Sequence, residues 1–357
     1  MYTLNNCHFY PASFIGKYGT GLQKNSRLEK VSIFNIRLFL KKKDIQKNKN
    51  ELNNLVSDFF NSDKNNTIKA ESLFSNKIVF KKTEDNIKVR DIEKDFFNII
   101  ESLRKYSISI KEDFIYLNYL PNFTQKNIAY TILPTLCFLA LQKARNPQFL
   151  YHYFLEYCKH NNIKQKNEEI DVESICKKDF LTKYNNYYEA EYNRVKNLLI
   201  NHKTEIIFLN TSNYLKNPLF LSTLGIINLQ HSGISMDVIL KNFGIILGEN
   251  EVNFLKEVMI IVLGPNTCLA YFSHLYCNTI NKILREHLIL QLIQTINGIQ
   301  MINSPDYFII DGRTEYNKKI SLNFISNQMY LMKKNIKQLR KYNYQYYNQF
   351  KDFIDMK

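Results

Sequence analysis

The sequence predicts a mainly helical protein with a smaller α+β part at its N-terminus. Three observations carry that expectation. Apolar residues recur at helical spacing over much of the chain after residue 90, as in the stripe Ile92, Phe96, Ile99, Ile100 and Leu103. Before that point a β-branched and aromatic run, Val31–Leu40 (VSIFNIRLFL), reads as a strand. The apolar fraction, 45% of 357 residues, is enough for real cores and argues against wholesale disorder. The expected organisation is a basic α+β region over 1–105, a helical core domain over 106–305, and a β-hairpin with a basic Tyr-rich helix over 306–357.

Taken in order, residues 1–40 read as extended structure interrupted by Gly16, Gly19 and Gly21. A polar basic run from Lys41 to Asn50 leads to a short helix over Glu51–Phe60. Ile78–Lys82 and Ile87–Arg90 suggest a hairpin around Glu84-Asp85-Asn86, and Asp91–Lys105 a helix. Helix is expected from Thr124 to Lys143, broken at Asn146-Pro147, then resumed to about His160. A polar surface loop over 161–175 precedes a helix over Lys178–Lys203 and a short buried strand, Glu205–Asn210. Pro218–Gln230 and Met236–Phe243 read as short helices, and Asn250–Leu263 as an amphipathic helix stopped by Gly264-Pro265. Asn266 then caps a long helix running to about Asn297, with Gly298 ending it. Tyr307–Asp311 and Glu315–Phe324 alternate like two strands around Gly312-Arg313. A heptad-like stripe, Met332, Ile336, Leu339, Asn343, Tyr346, Phe350 and Phe353, closes the chain. Ile336, Leu339, Tyr346 and Phe350 are expected to be buried against the body or a partner.

Charge is the strongest functional signal. The chain has 48 Lys plus Arg against 33 Asp plus Glu, a net charge of +15. Residues 1–50 hold 10 basic and 2 acidic residues, and residues 313–357 hold 10 and 3. The two flanks therefore account for the whole excess, and the middle is neutral. Abundant Lys, Asn, Ile, Tyr and Phe reflect AT-rich codons, so Lys abundance alone means little; segregation of the excess charge is what composition does not explain. Neutral middles with basic flanks suit a polyanionic partner. The expected nucleic-acid-binding residues are Lys17, Lys24, Arg27, Lys30, Arg37, Lys41, Lys42 and Lys43 at one end, and Lys333, Lys334, Lys337, Arg340 and Lys341 at the other. Nearby Tyr342, Tyr344, Tyr346 and Tyr347 are suited to stacking on unpaired bases.

The expected function is a non-enzymatic nucleic-acid-binding structural protein, a nucleoprotein or ribonucleoprotein subunit. It would contact RNA or single-stranded nucleic acid through the backbone and associate with other protein subunits. The alternatives are a Mg²⁺-dependent nuclease-like enzyme and a protein–protein assembly subunit. Residues 305–319 (PDYFIIDGRTEYNKK) resemble the nuclease pattern of a carboxylate on one strand and E-x-K on the next. Asn317 stands where that pattern needs Lys, and Lys318 falls on the opposite strand face. The carboxylates Asp306, Asp311 and Glu315 read more simply as hairpin residues.

Other motifs are weaker. Leu229–Ile239 resembles the turn and second helix of a helix-turn-helix, but its second helix offers only Lys241 and a few polar groups. Cys268, His274 and Cys277, or Cys158 and His160, lack the paired short spacing of a metal knuckle. No P-loop, dinucleotide fingerprint, GxSxG or HExxH is present, so no catalytic residue, metal or cofactor is assigned. Six scattered cysteines without a CxxC pair suit a reducing intracellular compartment. MYTLNNCHFYP has no charged n-region or apolar h-region, so no signal peptide is expected. The longest apolar stretch, Ile128–Leu141, is too short to span a bilayer, which takes about 20 residues.

Overall fold

Helix forms wherever an apolar stripe finds a neighbour to bury it against, and the long stripes of this chain find one another. The computed structural model describes residues 7–8, 10–42, 48–63, 66–73, 75–117, 125–166, 169–201, 204–212, 218–222, 226–228, 259–273, 289–303, 307–332, 349–350 and 353–354. Among them lie helices α1 (Ala12–Ile15), α2 (Ile36–Lys42), α3 (Lys49–Ser62), α4 (Lys81–Ile87), α5 (Val89–Ile110), α6 (Gln125–Arg145), α7 (Pro147–His160), α8 (Lys177–Asn201), α9 (Ile289–Asn303) and α10 (Glu315–Met332). The strands are β1 (Cys7–His8), β2 (Lys30–Asn35), β3 (Thr67–Lys69), β4 (Ser75–Asn76), β5 (Phe114–Tyr116), β6 (Gln165–Lys166), β7 (Glu169–Ile170), β8 (Thr204–Asn210), β9 (Leu221–Ser222), β10 (Ile226–Asn228), β11 (Met259–Gly264), β12 (Thr267–Ser273) and β13 (Tyr307–Ile310). The protein is mostly helical with small antiparallel sheets, as its composition and stripes predict.

Phe96, Ile100 and Leu103 of α5 are buried, and Phe96 stacks on Phe138 of α6 at 3.7 Å between ring centroids. Asn185 of α8 accepts from the Phe80 N–H and donates to the Ile78 carbonyl, tying α8 to the segment that leads into α4. Arg145, at the end of α6, pairs with Glu93 at 2.6 Å and Glu84 at 3.3 Å, joining three helices through one guanidinium.

The larger sheet runs β10-β11-β12-β8-β5 and the smaller β3-β2-β13-β9, every pairing antiparallel. The smaller sheet is a wall between two cores. Val31 and Ile33 of β2 and Ile309 of β13 join the larger cluster. Phe34 and the β13 residues Phe308 and Ile310 join a second cluster with α3 and α10. Strand alternation sends neighbouring side chains to opposite faces, and both faces are covered here. The sheet takes strands from residues 1–105, 106–305 and 306–357 alike.

Several expected elements differ. The segment after Asn266 is strand β12, not the start of a long helix; residues 274–288 lie outside the described residues, and α9 (Ile289–Asn303) runs through Gly298 instead of ending there. Met259–Gly264 is strand β11 rather than a helix end, so Gly264-Pro265-Asn266 is a hairpin turn. Ile260–Leu263 and Cys268–Tyr271 are wholly buried; a central strand covered on both faces shows no alternation and reads like a buried helix. Leu221–Ser222 and Ile226–Asn228 are short strands where a helix was expected. Two helices, α4 and α5, replace the expected 78–90 hairpin, separated by Lys88 in the left-handed region at φ 61°. The strand from Val31 stops at Asn35, whose side chain accepts from the Leu38 N–H and caps α2. The expected C-terminal hairpin is absent: β13 holds, but Glu315–Phe324 lies in α10. Thr314 Oγ1 accepts from the Asn317 N–H there, and Ser321, Leu322, Ile325 and Met329 form the buried face. Met236–Phe243 and Ile336, Leu339 and Tyr346 lie outside the described residues.

Phe350 and Phe353 are buried against the body. Phe350 packs on Phe154 of α7, and Phe353 packs on Phe154 and on Phe180 of α8, with centroids 5.1–5.2 Å apart. Lys177 Nζ donates to the Ile354 carbonyl at 3.1 Å. Phe350→Ala or Phe353→Ala is therefore expected to cost about 3–5 kcal/mol in a urea titration followed by circular dichroism. An unchanged midpoint would show that the C-terminal segment does not stabilise the α7–α8 pair.

Candidate functional site

Three cationic side chains from distant segments meet around the turn between β11 and β12. Gly264 there has φ 154°, and a Cβ on it would sit 3.2 Å from Arg104 Nη2, so the turn needs glycine both for its backbone and for the approach of that side chain. Arg104, on α5, donates to the Leu263 carbonyl at 3.2 Å and to Thr267 Oγ1 at 2.6 Å. Arg313, just after β13, reaches the Asn266 side-chain oxygen at 2.9 Å. Lys17 lies in the 3-10 turn Gly16–Tyr18 and pairs with Glu101 Oε1 at 2.6 Å, the same oxygen that Arg104 Nη1 binds at 2.7 Å. Asn210 and Ser212 at the end of β8, with Pro265, Asn266 and Thr267, complete an open cleft of about 200 Å³.

Its electrostatics follow from burial and pairing. Asp311 is 0% exposed and holds Arg313 through three hydrogen bonds, Nε to Oδ1 at 2.8 Å, Nη2 to Oδ2 at 2.7 Å and the backbone N–H to Oδ1 at 3.2 Å; Asn317 donates to Oδ2 at 3.0 Å. Burial lowers the Arg104 guanidinium to about 10, with Tyr10 acting in the opposite direction, so it stays charged at neutral pH. Three cations face two carboxylates, leaving one net positive charge on a surface rich in amide and hydroxyl groups.

Of the basic residues expected from the sequence, Lys17 enters this cleft. Lys24, Arg27 and Lys30 are exposed on the adjoining segment. That segment is packed onto the Lys17 turn so closely that a Cβ on Gly16 would lie 1.7 Å from the Ser26 carbonyl oxygen. The 20–29 loop is stapled by Glu29, a buried carboxylate accepting from Thr20 Oγ1, the Gly21 N–H and the Gln23 N–H at 2.9–3.1 Å. Arg37 is half-buried in α2, which also contains Lys41 and Lys42. Lys43 and the C-terminal set Lys333, Lys334, Lys337, Arg340 and Lys341 lie outside the described residues, as do Leu229–Ile239, His274 and Cys277.

Sequence reasoning missed Arg104 and the Gly264–Thr267 turn. Arg104 follows Leu103 in a helical stripe and carries no local mark of its role. The turn is legible as Gly-Pro, but in a run of apolar residues that dipeptide reads equally as a helix stop. For the nuclease-like alternative, Glu315 opens a helix instead of lying on a strand; it is 90% exposed and 3.6 Å from Lys318. Asp311 is committed to Arg313 and Asn317, and Asp306 lies outside the described residues. Among the described residues no group of three or more His, Cys, Asp or Glu is placed to hold a metal ion. No helix among them is long and apolar enough to cross a membrane. Cys137, Cys158, Cys176 and Cys268 are free thiols. Compared with known proteins, the chain matches no family model, no curated protein and no solved structure.

The Glu29 staple has a pH signature. Burial pushes its carboxyl up, but the hydrogen bonds from Gln23, Thr20, Gly21 and Leu22 outweigh burial and hold it below the ordinary 4.5. Its contribution to stability is thus complete above that value and is lost as pH falls through the lower folded-state value. Glu29→Ala should lower the hydrogen-exchange protection factors of the Gly21 and Gln23 amides at neutral pH, and acidification through the Glu29 titration should lower them in the wild type, each rate being taken relative to the intrinsic rate at that pH. Unchanged exchange in the variant would show that the carboxylate does not hold the loop.

Proposed function

We propose that the chain is a non-enzymatic structural protein that binds RNA or single-stranded nucleic acid through the phosphate backbone, as a nucleoprotein or ribonucleoprotein subunit. One observation carries this reading. β2, in the N-terminal basic flank, pairs with β13, the strand that ends just before the C-terminal basic flank begins, and Lys17 from one flank and Arg313 from the other line the same cleft. The stapled 20–29 loop beside it offers Lys24, Arg27 and Lys30 to solvent. Lys41, Lys42, Lys43 and the C-terminal set Lys333, Lys334, Lys337, Arg340 and Lys341 belong to the same proposal on their charge alone. Free cysteines suit a reducing intracellular setting. Phosphate contacts of this kind give affinity and register without sequence preference.

The test is fluorescence anisotropy with two unrelated single-stranded RNAs between about 50 and 200 mM salt. Affinity should fall steeply with salt. The triple variant Lys24→Gln, Arg27→Gln, Lys30→Gln should bind both RNAs about tenfold more weakly, with the log–log salt slope flattened by roughly 2. Unequal losses on the two sequences would argue for base readout. No detectable binding of either RNA or DNA at about 50 mM salt would overturn the proposal. Glu315→Ala should leave binding unchanged; a Mg²⁺-dependent cleavage abolished by it would replace this reading with the nuclease one.

A further inference from the structure

We propose that the Lys17–Arg104–Arg313 cleft receives the terminal phosphate of a strand, a phosphomonoester, in preference to an internal phosphodiester. This rests on the phosphate-backbone reading and adds to it which part of the strand enters the cleft.

The first argument is a census of donors. Lys17 Nζ has three N–H groups, and its hydrogen bond among the described residues goes to Glu101. Its position is further fixed by the Phe14 and Phe97 rings, 5.2 and 5.3 Å from the ammonium. Arg313 spends Nε and Nη2 on Asp311 and Asn266, and Nη1 is left over among the described residues. Arg104 spends Nη1 on Glu101 and Nη2 on Leu263 and Thr267, leaving Nε and the second Nη1 hydrogen. Each cation is therefore anchored by part of its donor set and holds the rest in reserve. Anchored donors bind an oxyanion with little ordering cost.

The second argument is the matching of donor number and shape. Three cations on three separate segments suit the three terminal oxygens of a tetrahedral phosphate, with charge-assisted hydrogen bonds to each. The fourth substituent then points to the open side, which is the arrangement of a monoester with a single ester arm. An internal diester has two ester arms and needs a groove open at both ends. Here Pro265, Asn266 and Thr267 of the turn and Asn210 and Ser212 at the end of β8 line the cleft beside the three cations. Its 200 Å³ equals the liquid volume of about seven waters, room for a phosphate and the sugar carbons next to it. Asn210, Ser212, Asn266 and Thr267 on the walls suit the sugar hydroxyls and ester oxygen.

The experiment uses the full chain and one single-stranded RNA made in two forms, with a 5′-phosphate and with a 5′-hydroxyl. Binding of the phosphorylated form should be about tenfold tighter. Lys17→Gln keeps the Glu101–Arg104 pair and should remove that preference while retaining weaker binding of both forms, with an unchanged melting curve as the folding control. The Lys24, Arg27, Lys30 variant should weaken both forms alike and keep the ratio. Equal affinity of the wild type for the two forms overturns the terminal-phosphate assignment and leaves backbone binding standing. A preference that survives in Lys17→Gln overturns the assignment to this cleft. Adenosine 5′-monophosphate binding as tightly as the phosphorylated RNA would assign the cleft to free nucleotides and overturn the strand-end proposal. Failure of both RNAs to bind overturns the parent reading itself.

Discussion

The antiparallel pairing of β2 with β13 is the constraint on which the site depends. Ile33 faces Ile309 and Phe34 faces Phe308 across that ladder, so the register is set by apolar residues on both faces at once. A slip by one residue would exchange the faces and send Phe34 and Ile33 into each other's cores. The pairing also delivers the flanking segments. Just before β2 the chain passes through the Lys17 turn, and just after β13 it reaches Gly312, whose N–H donates to the Tyr18 carbonyl at 3.0 Å. Two segments at opposite ends of the sequence are brought within one hydrogen bond of each other. Lys17 from one basic flank and Arg313 from the other thereby line one cleft. Such a contact closes a very long loop, a cost in entropy that local helices do not bear, so it is satisfied after them or with them.

At the cleft, polar groups are buried and must be answered. A wholly buried carboxylate such as Asp311 is tolerable only when its acceptor capacity is filled, and Arg313 and Asn317 fill it. The fork of Arg313 is thereby fixed in plane, and its outer edge is turned to Asn266 of the neighbouring turn. Arg104 is fixed by the next residue of the same turn, Thr267. Adjacent turn residues thus orient two guanidinium groups, and Glu101 ties the ammonium of Lys17 to one of them. Buried pairs of this kind add little net stability, but they hold geometry, because breaking any one leaves another charge without an answer.

What was legible in the sequence follows the same physics. Helices α3, α5, α7 and α8 have one buried face and one wet face, so their periodicity is written in residues such as Phe96, Ile100 and Leu103, whereas α6 is a core helix marked by its length and apolar run. β8 was legible because EIIFLN is short and lies between polar residues. β11 and β12 were not, because MIIVLG and TCLAYFS lie at the centre of a sheet covered on both sides, where helix and strand leave the same apolar run. Asn35 marked the end of β2 as a helix cap, but its neighbours Ile36, Leu38 and Phe39 continue the β-branched and aromatic pattern and conceal it. The site was legible only in Lys17 and in the basic flank that begins at Arg313. Arg104 acquires its role from a turn far along the chain, a relation that no local pattern records.

Composition gives an independent reason to separate this cleft from the general excess of lysine. Of 48 basic residues only 9 are arginine, as AT-rich codon usage favours, so a basic surface formed by bias alone would be made of lysine. Two of the three cations at the cleft are arginine. The reason lies in what each must do. Arg313 presents two parallel N–H groups to the two Asp311 oxygens while a third reaches Asn266. Arg104 reaches a carboxylate, a backbone carbonyl and a hydroxyl from one planar head. A compact ammonium on a flexible stem cannot fill several fixed acceptors in one plane and still present a further N–H edge. Where the structure needs only a charge against Glu101 and two aromatic rings, the chain uses Lys17. Arginine at Arg104 and Arg313 is therefore set by hydrogen-bond geometry against the drift of composition, and the exposed Lys24 and Lys30 are where that drift is free to act.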